Sequence, residues 1–129
     1  MSPLDLTCSK TVQLNVMGTS YEIGSTTFEK LQPFFQPSCV FSKQNATTQS
    51  IEYFIERDPL SFNAILLFYV SGELHMPSAV CPSVFKNELT FWGINWKDMN
   101  HCCLRNYVSF HDGMLLYLLL LYHPISYNF

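Results

Sequence analysis

Two stretches of the chain alternate apolar and polar residues in the way that is typical of β-strands. In Thr11–Val16 every second residue is apolar, which places these side chains on one face of a strand. Residues 17–20 predict a tight turn, and residues 21–23 predict a strand that returns along the first as a hairpin. Residues 51–57 alternate in the same way and predict a third strand.

The segment between these strands predicts a short helix followed by a loop. Thr26 or Thr27 is the predicted N-cap of a helix that contains Phe28 and Leu31. Prolines at positions 33 and 37 limit this helix, and the polar residues 36–50 predict a loop.

The second half of the chain predicts helices. Asp58 followed by Pro59 is a typical helix start, and Gly72 is a typical helix end. The residues between them are apolar nearly all round, which predicts a helix that is buried on most sides. After an extended link at residues 74–77, a second helix is predicted over residues 80–91 and a last short helix within residues 95–107. The inward-facing residues of the second helix are predicted to be Val84, Phe85, Leu89 and either Phe91 or Trp92.

The element order β-β-α-β-α-α-α predicts one α+β domain over residues 11–107, after a polar lead of residues 1–10. The tail, residues 108–129, contains the apolar run 114–122, which is far shorter than the roughly 20 residues that a membrane span needs. Three interpretations remain open for this run: packing on the domain or a neighbour, a truncated or aberrantly joined end, and membrane contact.

Composition narrows the function classes. The chain has 129 residues and a net charge of −3, which argues against nucleic acid as a partner because phosphate binding requires a basic surface. It is 48% hydrophobic and only 13% charged, so it can bury a core and some of its apolar surface is expected to be covered by a partner. Five cysteines do not suit a closed disulfide framework, and the first ten residues lack a signal peptide pattern, which favours a reducing, cytosolic setting.

The sequence does not predict an enzyme. It contains no G-x-S-x-G, H-E-x-x-H, C-x-x-C or glycine-rich phosphate loop. A Cys–His nucleophile pair is compatible with the composition, but it also needs an orienting residue and a cleft that no pattern predicts.

One spacing predicts metal chemistry. His75, Cys81, Cys102 and Cys103 form the pattern H-x5-C-x20-C-C, and three thiolates with one imidazole are a typical tetrahedral set for structural Zn²⁺. The residues alone leave two alternatives open: unrelated half-buried cysteines beside a surface histidine, and His101 as the ligand in place of His75. Cys8 and Cys39 fall outside the pattern.

Four segments follow one another in a familiar order: VQLNVMGTSYE (12–22), EYFIERDP (52–59), FNAILLFYVSGEL (62–74) and residues 75–107. They resemble the cytoplasmic N-terminal tetramerisation domain of voltage-gated potassium channels, a BTB/POZ-type fold, over roughly residues 11–107. The segment LHMPSAVCPSVFKNELTFWGI (74–94) is similar to the Shaw-type subfamily in particular.

This resemblance implies a module that assembles channel subunits into homotetramers or heterotetramers and limits which subunits mix, without a pore or voltage sensor. It also implies Zn²⁺ between subunits, with His75, Cys102 and Cys103 from one chain and Cys81 from its neighbour. The implied location is the cytoplasmic face of the plasma membrane within a channel complex, or the cytoplasm for the chain alone. The alternative within the same fold is an adaptor for a cullin-based ubiquitin ligase.

The chain departs from the family pattern in three places. Met17-Gly18 replaces the usual Gly-Gly, so Met17 is strained if this position requires a positive φ angle. Val70-Ser71 replaces the usual Arg-Thr and removes a cationic group, and the stretch 33–42 lacks the familiar Thr-Arg-Leu.

Overall fold

The computed structural model of the protein describes residues 10–44, 46–47 and 50–109, and these form a four-stranded sheet packed against several short helices. The strands are β1 (Thr11–Val16), β2 (Thr19–Gly24), β3 (Val40–Gln44) and β4 (Ile51–Ile55). Their spatial order is β2-β1-β4-β3, with β1 and β4 parallel and the other two pairs antiparallel. The predicted α+β class is confirmed.

The helices are α1 (Ser25–Leu31), α2 (Pro59–Ser71), α3 (Pro82–Phe91) and α4, whose described part is residues 101–109. Short 3₁₀ turns lie at Gln32–Phe34 and Trp96–Asp98. In the described part of the chain, no helix combines the length and the apolar character needed to cross a membrane. The apolar run 114–122 and most of the predicted lead and tail lie outside the described residues.

The core lies on one face of the sheet, as the alternating pattern predicts. Leu14, Val16 and Ile55 are fully buried there, and α2 contributes Phe62, with Trp92 following α3. The rings of Phe62 and Trp92 have their centroids 5.4 Å apart, so these residues join the two helices beneath the sheet.

The hairpin and the start of α2 form as predicted. Met17 has a φ angle of 46° and Gly18 one of 97°, so methionine does occupy a position that favours glycine. The carboxylate of Asp58 accepts hydrogen bonds from the backbone N–H groups of Leu60 and Ser61, at 3.4 and 3.1 Å, and thereby caps α2. Gly72 ends the helix in the left-handed conformation.

Two predictions for the segment after the hairpin were wrong. Helix α1 begins at Ser25 rather than after Thr26 or Thr27, because β2 pairs with β1 as far as Gly24 and the Ser25 N–H donates to the carbonyl of Lys10 at 3.0 Å. No side-chain hydrogen bond caps this helix. The predicted loop 36–50 contains the edge strand β3. Only Val40 of β3 is buried, so the strand has no alternating apolar pattern, and hydrogen bonds to β4 stabilise it instead.

The burial predictions for the helices were partly wrong. Helix α2 has an exposed apolar side, on which Leu60, Leu67 and Val70 are each more than half exposed. In α3 the buried residues are Phe85, Glu88 and Leu89, spaced as one helical face, and this leaves Val84 exposed. The predicted last helix is divided into a 3₁₀ turn and α4, with the buried residue Met99 extended between them.

The buried carboxylate of Glu88 forms a two-point ion pair that ties α3 to the end of β4. Arg57 Nη2 lies 2.7 Å from Glu88 Oε1, and Arg57 Nε donates to Oε2 at 3.1 Å. Burial raises the pKa of Glu88, although the attraction of Arg57 opposes the shift. The guanidinium also lies 4.1 Å from the centre of the Phe91 ring, so Arg57 holds α3 through two kinds of contact.

Candidate metal centre

Three of the four predicted ligand residues lie together at the start of α4. His75 Nδ1 lies 3.2 Å from the sulfur of Cys102 and 3.7 Å from the sulfur of Cys103. One ligand atom from each of the three residues lies within 4.8 Å of the others. Among the described residues, this is the one group of three or more histidine, cysteine or acidic side chains with such spacing.

These distances fit a tetrahedral metal site. Zn–N and Zn–S bonds of about 2.0 and 2.3 Å with tetrahedral angles place nitrogen and sulfur ligands about 3.5 Å apart. The two nitrogen–sulfur distances, 3.2 and 3.7 Å, bracket this value. The residues therefore fit Zn²⁺ by both chemistry and spacing.

Hydrogen bonds between Leu74 and Asn100 bring His75 close to the segment that carries Cys102 and Cys103. Asn100 Oδ1 accepts a hydrogen bond from the Leu74 N–H at 2.9 Å, and the Asn100 N–H donates to the Leu74 carbonyl at 2.8 Å. Leu74 is fully buried, and the Asn100 carbonyl accepts from the N–H groups of the first turn of α4. This pair of hydrogen bonds holds His75 beside Cys102.

The surroundings of the cluster orient its ligand atoms. The second ring nitrogen of His75, Nε2, faces a carboxylate oxygen of Glu73 at 3.8 Å, so Nδ1 is left facing the two sulfurs. Cys103 is half-buried and its thiol points to the Met76 carbonyl at 3.9 Å. Burial raises the pKa of Cys103, and a metal ion that binds the thiolate would have to overcome this cost.

Cys81, the fourth predicted ligand, is described but is not part of this cluster. It is exposed and occupies the N-cap position of α3. The Ser83 hydroxyl, 3.6 Å from Cys81 Sγ, lowers the pKa of the Cys81 thiol, and the backbone N–H groups of Ser83 and Val84 act in the same direction. Cys81 is therefore an accessible thiol with increased thiolate character, which suits a metal ligand.

The other candidate residues lie apart from the cluster. His101 precedes Cys102 but is not a member of the group, which contains His75 instead. Cys39 is half-buried and packs against the core, as expected for an ordinary cysteine. Cys8 lies outside the described residues.

The spacing of cysteines and histidines did not identify Asn100 or Leu74 as positioning residues. Asparagine directly before a helical stretch is a helix-start signal, so Asn100 could have been read as the first boundary of α4. Its side-chain bond to Leu74, 26 residues away, has no local sequence signal.

Replacement of Asn100 by leucine is expected to weaken zinc binding by roughly tenfold or more, because outer-shell positioning contacts typically contribute 10- to 100-fold to metal affinity. It also leaves the Leu74 N–H without its acceptor, at a cost of about 1–3 kcal/mol in unfolding free energy. Competition with a chromophoric chelator and denaturant unfolding measure the two effects. Asn100→Asp keeps the acceptor oxygen and serves as the control; equal losses in both variants would contradict the role of this hydrogen bond.

Comparison with known families and proteins identifies relatives of this chain. Residues 12–102 match the BTB/POZ domain family BTB_2. Voltage-gated potassium channel KCNC4 of Rattus norvegicus is 43% identical over 62 residues, which are 48% of this chain and 10% of the channel. The regulatory subunit KCNF1 of Rattus norvegicus is 40% identical over 52 residues, 40% of this chain and 10% of that protein.

The longest of these similarities reaches across most of the chain. Voltage-gated potassium channel KCNC1 of Mus musculus is 31% identical over 109 residues, 81% of this chain and 21% of the channel. The chain thus spans between a tenth and a fifth of the length of these relatives. They are channel subunits rather than enzymes, and the predicted resemblance to Shaw-type channels is confirmed.

Proposed function

This chain belongs to the BTB/POZ domain family, and from that premise we propose that it is a tetramerisation module that assembles voltage-gated potassium channel subunits. The similarity to KCNC4, KCNC1 and KCNF1 supports this partner class. The observation that carries the proposal is an incomplete ligand set: one imidazole and two thiols lie together, and the thiol of Cys81 lies elsewhere on the same chain.

An incomplete set of this kind is suited to binding between chains. Structural zinc sites have four protein ligands, so His75, Cys102 and Cys103 leave one position for a further ligand. Cys81 is exposed, and its lowered pKa favours the thiolate that such a site requires. The proposal therefore assigns the fourth ligand to Cys81 of a neighbouring copy, which completes a Cys₃His set. When bound, Zn²⁺ would supply coordinate bonds that link the two chains.

A ring satisfies this ligand requirement. In this proposal each chain gives its three-ligand cluster to one neighbour and its Cys81 to another, so the contact is heterologous rather than two-fold symmetric. A heterologous contact leaves one surface free at each end of an open assembly, and closure into a ring satisfies every surface. Four chains and four ions per ring correspond to the four subunits of a potassium channel. Because the ligands come from two chains, metal binding and assembly form one equilibrium.

The same requirement limits which subunits mix. A partner must carry a cysteine at the Cys81 position and a matching cluster, so homotetramers and heterotetramers with related channel subunits are favoured over other combinations. In this proposal the module works at the cytoplasmic face of the plasma membrane as part of a channel complex, and it reaches the membrane through the channel subunits it joins.

Native mass spectrometry of the full chain tests this function because it measures chain number and bound metal together. We expect four chains with four zinc ions, and we expect monomers after treatment with a strong chelator, since each interface loses its linking bonds. Restoring zinc should restore the tetramer, whereas magnesium, which prefers oxygen ligands, should not. A tetramer that persists without metal would contradict the zinc bridge, and a metal-free monomer under all conditions would contradict assembly.

A further inference from the structure

An apolar groove lies directly beside the ligand cluster. Its volume is about 200 Å³, and it is lined by Asn63, Ala64 and Leu67 of α2 together with Glu73, His75, Met76 and Pro77. His75 belongs to both the groove and the cluster, so the two features adjoin each other. Leu67 at its edge is 54% exposed, which leaves a large apolar side chain facing water.

A second exposed apolar residue lies next to Cys81. Val84 is 42% exposed and follows Cys81 by three residues at the start of α3. Cys81 is the extended N-cap residue of α3, and its sulfur lies close to the backbone N–H groups of Ser83 and Val84 in the first turn. The surface that presents Cys81 to a neighbour therefore presents Val84 as well.

The two surfaces match in arrangement. On one chain an apolar groove borders a three-ligand cluster through His75, and on the other an apolar side chain stands one helical turn from the missing ligand. We infer that the neighbouring copy that supplies Cys81 also seats its Val84 in this groove, against Leu67. This inference rests on the proposed function, and it adds an apolar contact that determines where the metal-linked chains touch.

The low charge of the groove and the exposure of its apolar residues to water support Val84 of a second copy as its occupant. Among the described residues that line the groove, Glu73 is the one acidic or basic side chain apart from His75, and its carboxylate lies 3.8 Å from Nε2 of the His75 ring. A valine brings no charge that would need a partner in the groove. Covering Leu67, Met76 and Val84 together removes apolar surface from water at the point where the ligand set also needs a second chain.

A pair of identical substitutions on α2 tests the groove. Leu67 and Leu60 are on the same exposed side of the helix and are 54% and 53% exposed, but Leu60 is not a lining residue of the groove. In zinc-loaded full chain, we expect Leu67→Gln to weaken association by about tenfold or more, as loss of an interface anchor does. Leu60→Gln should associate like the wild type. Sedimentation velocity over a concentration series measures both.

A charge-pairing experiment tests direct contact between the two positions. Leu67→Lys and Val84→Glu are each expected to assemble poorly alone, since a charge then faces an apolar partner. Val84→Glu does not threaten the fold, because an acidic residue in the first turn of α3 is favourable for the helix dipole. In a one-to-one mixture, the introduced lysine of one chain can pair with the introduced glutamate of the next. Mixed tetramers should therefore form at lower concentration than assemblies of either variant alone.

The outcomes separate this inference from the proposed function. If wild-type chain forms zinc-linked tetramers but Leu67→Gln and Leu60→Gln do so equally well, the groove contact is overturned and the metal-linked assembly stands. Absence of recovery when the Leu67→Lys and Val84→Glu chains are mixed also overturns the groove contact. A wild-type chain that remains monomeric with zinc overturns both.

Discussion

A one-to-one mixture of Cys81→Ala and Cys102→Ala chains is expected to recover bound zinc and assembly that neither variant shows alone. The first variant keeps the cluster of His75, Cys102 and Cys103, and the second keeps the exposed Cys81. In the mixture, up to half of the contacts join an intact cluster to an intact Cys81, so we expect up to half of the wild-type zinc content. Metal analysis and light scattering measure the recovery.

A second mixture provides a matched control. Cys102→Ala and Cys103→Ala both damage the cluster and both keep Cys81, so no arrangement of these two chains produces a complete site. This mixture should remain metal-free and monomeric. Equal recovery in both mixtures, or no recovery in either while wild type binds zinc, would show that the four ligands are not shared between chains as proposed.

The second large effect concerns the core. Replacement of Phe62 by alanine is expected to lower the free energy of unfolding by about 3–5 kcal/mol, because it removes a fully buried aromatic ring and leaves a cavity. The substitution also removes ring contacts to Tyr21 and Trp92, with centroids at 5.3 and 5.4 Å. Urea unfolding of the metal-free chain measures the change without a contribution from assembly.

Phe41 provides the comparison for Phe62. It is 41% exposed on β3, where its ring contacts Phe54 across the strands at 5.1 Å. Phe41→Ala is therefore expected to cost no more than about 1 kcal/mol, the range of one cross-strand pair. Similar losses for both variants would mean that Phe62 does not lie at the centre of the core.

The elements with a strong local signal could be predicted from sequence. Alternation identified β1 and β4, and Asp58 with Pro59 identified the start of α2 to the residue. Strand β3 had no such signal, because it is an edge strand whose stability comes from hydrogen bonds to β4. The hydrophobic pattern also failed to predict that Val84 is exposed. Polarity alone assigns Glu88 to the surface, but its ion pair with Arg57 allows it to lie on the buried face of α3, and Val84 is then left outside that face.

The sequence predicted which residues lie together in the candidate site, but it did not predict the contacts that position them. The spacing selected His75, Cys102 and Cys103, which the fold brings together, and the resemblance implied that Cys81 belongs to a neighbour. The hydrogen bonds between Asn100 and Leu74 join distant parts of the chain and depend on tertiary packing. The groove beside His75 likewise depends on tertiary packing, because its lining residues come from both α2 and the link after it.

The parallel pairing of β1 with β4 determines the order in which a growing chain can build this domain. The β1–β2 hairpin needs only residues up to Gly24, so it can form early during synthesis. The middle of the sheet must wait until Ile55 has been made, because β4 inserts between β1 and β3. The contact of Asn100 with Leu74 comes later still, so on the ribosome the ligand cluster is among the last parts to assemble.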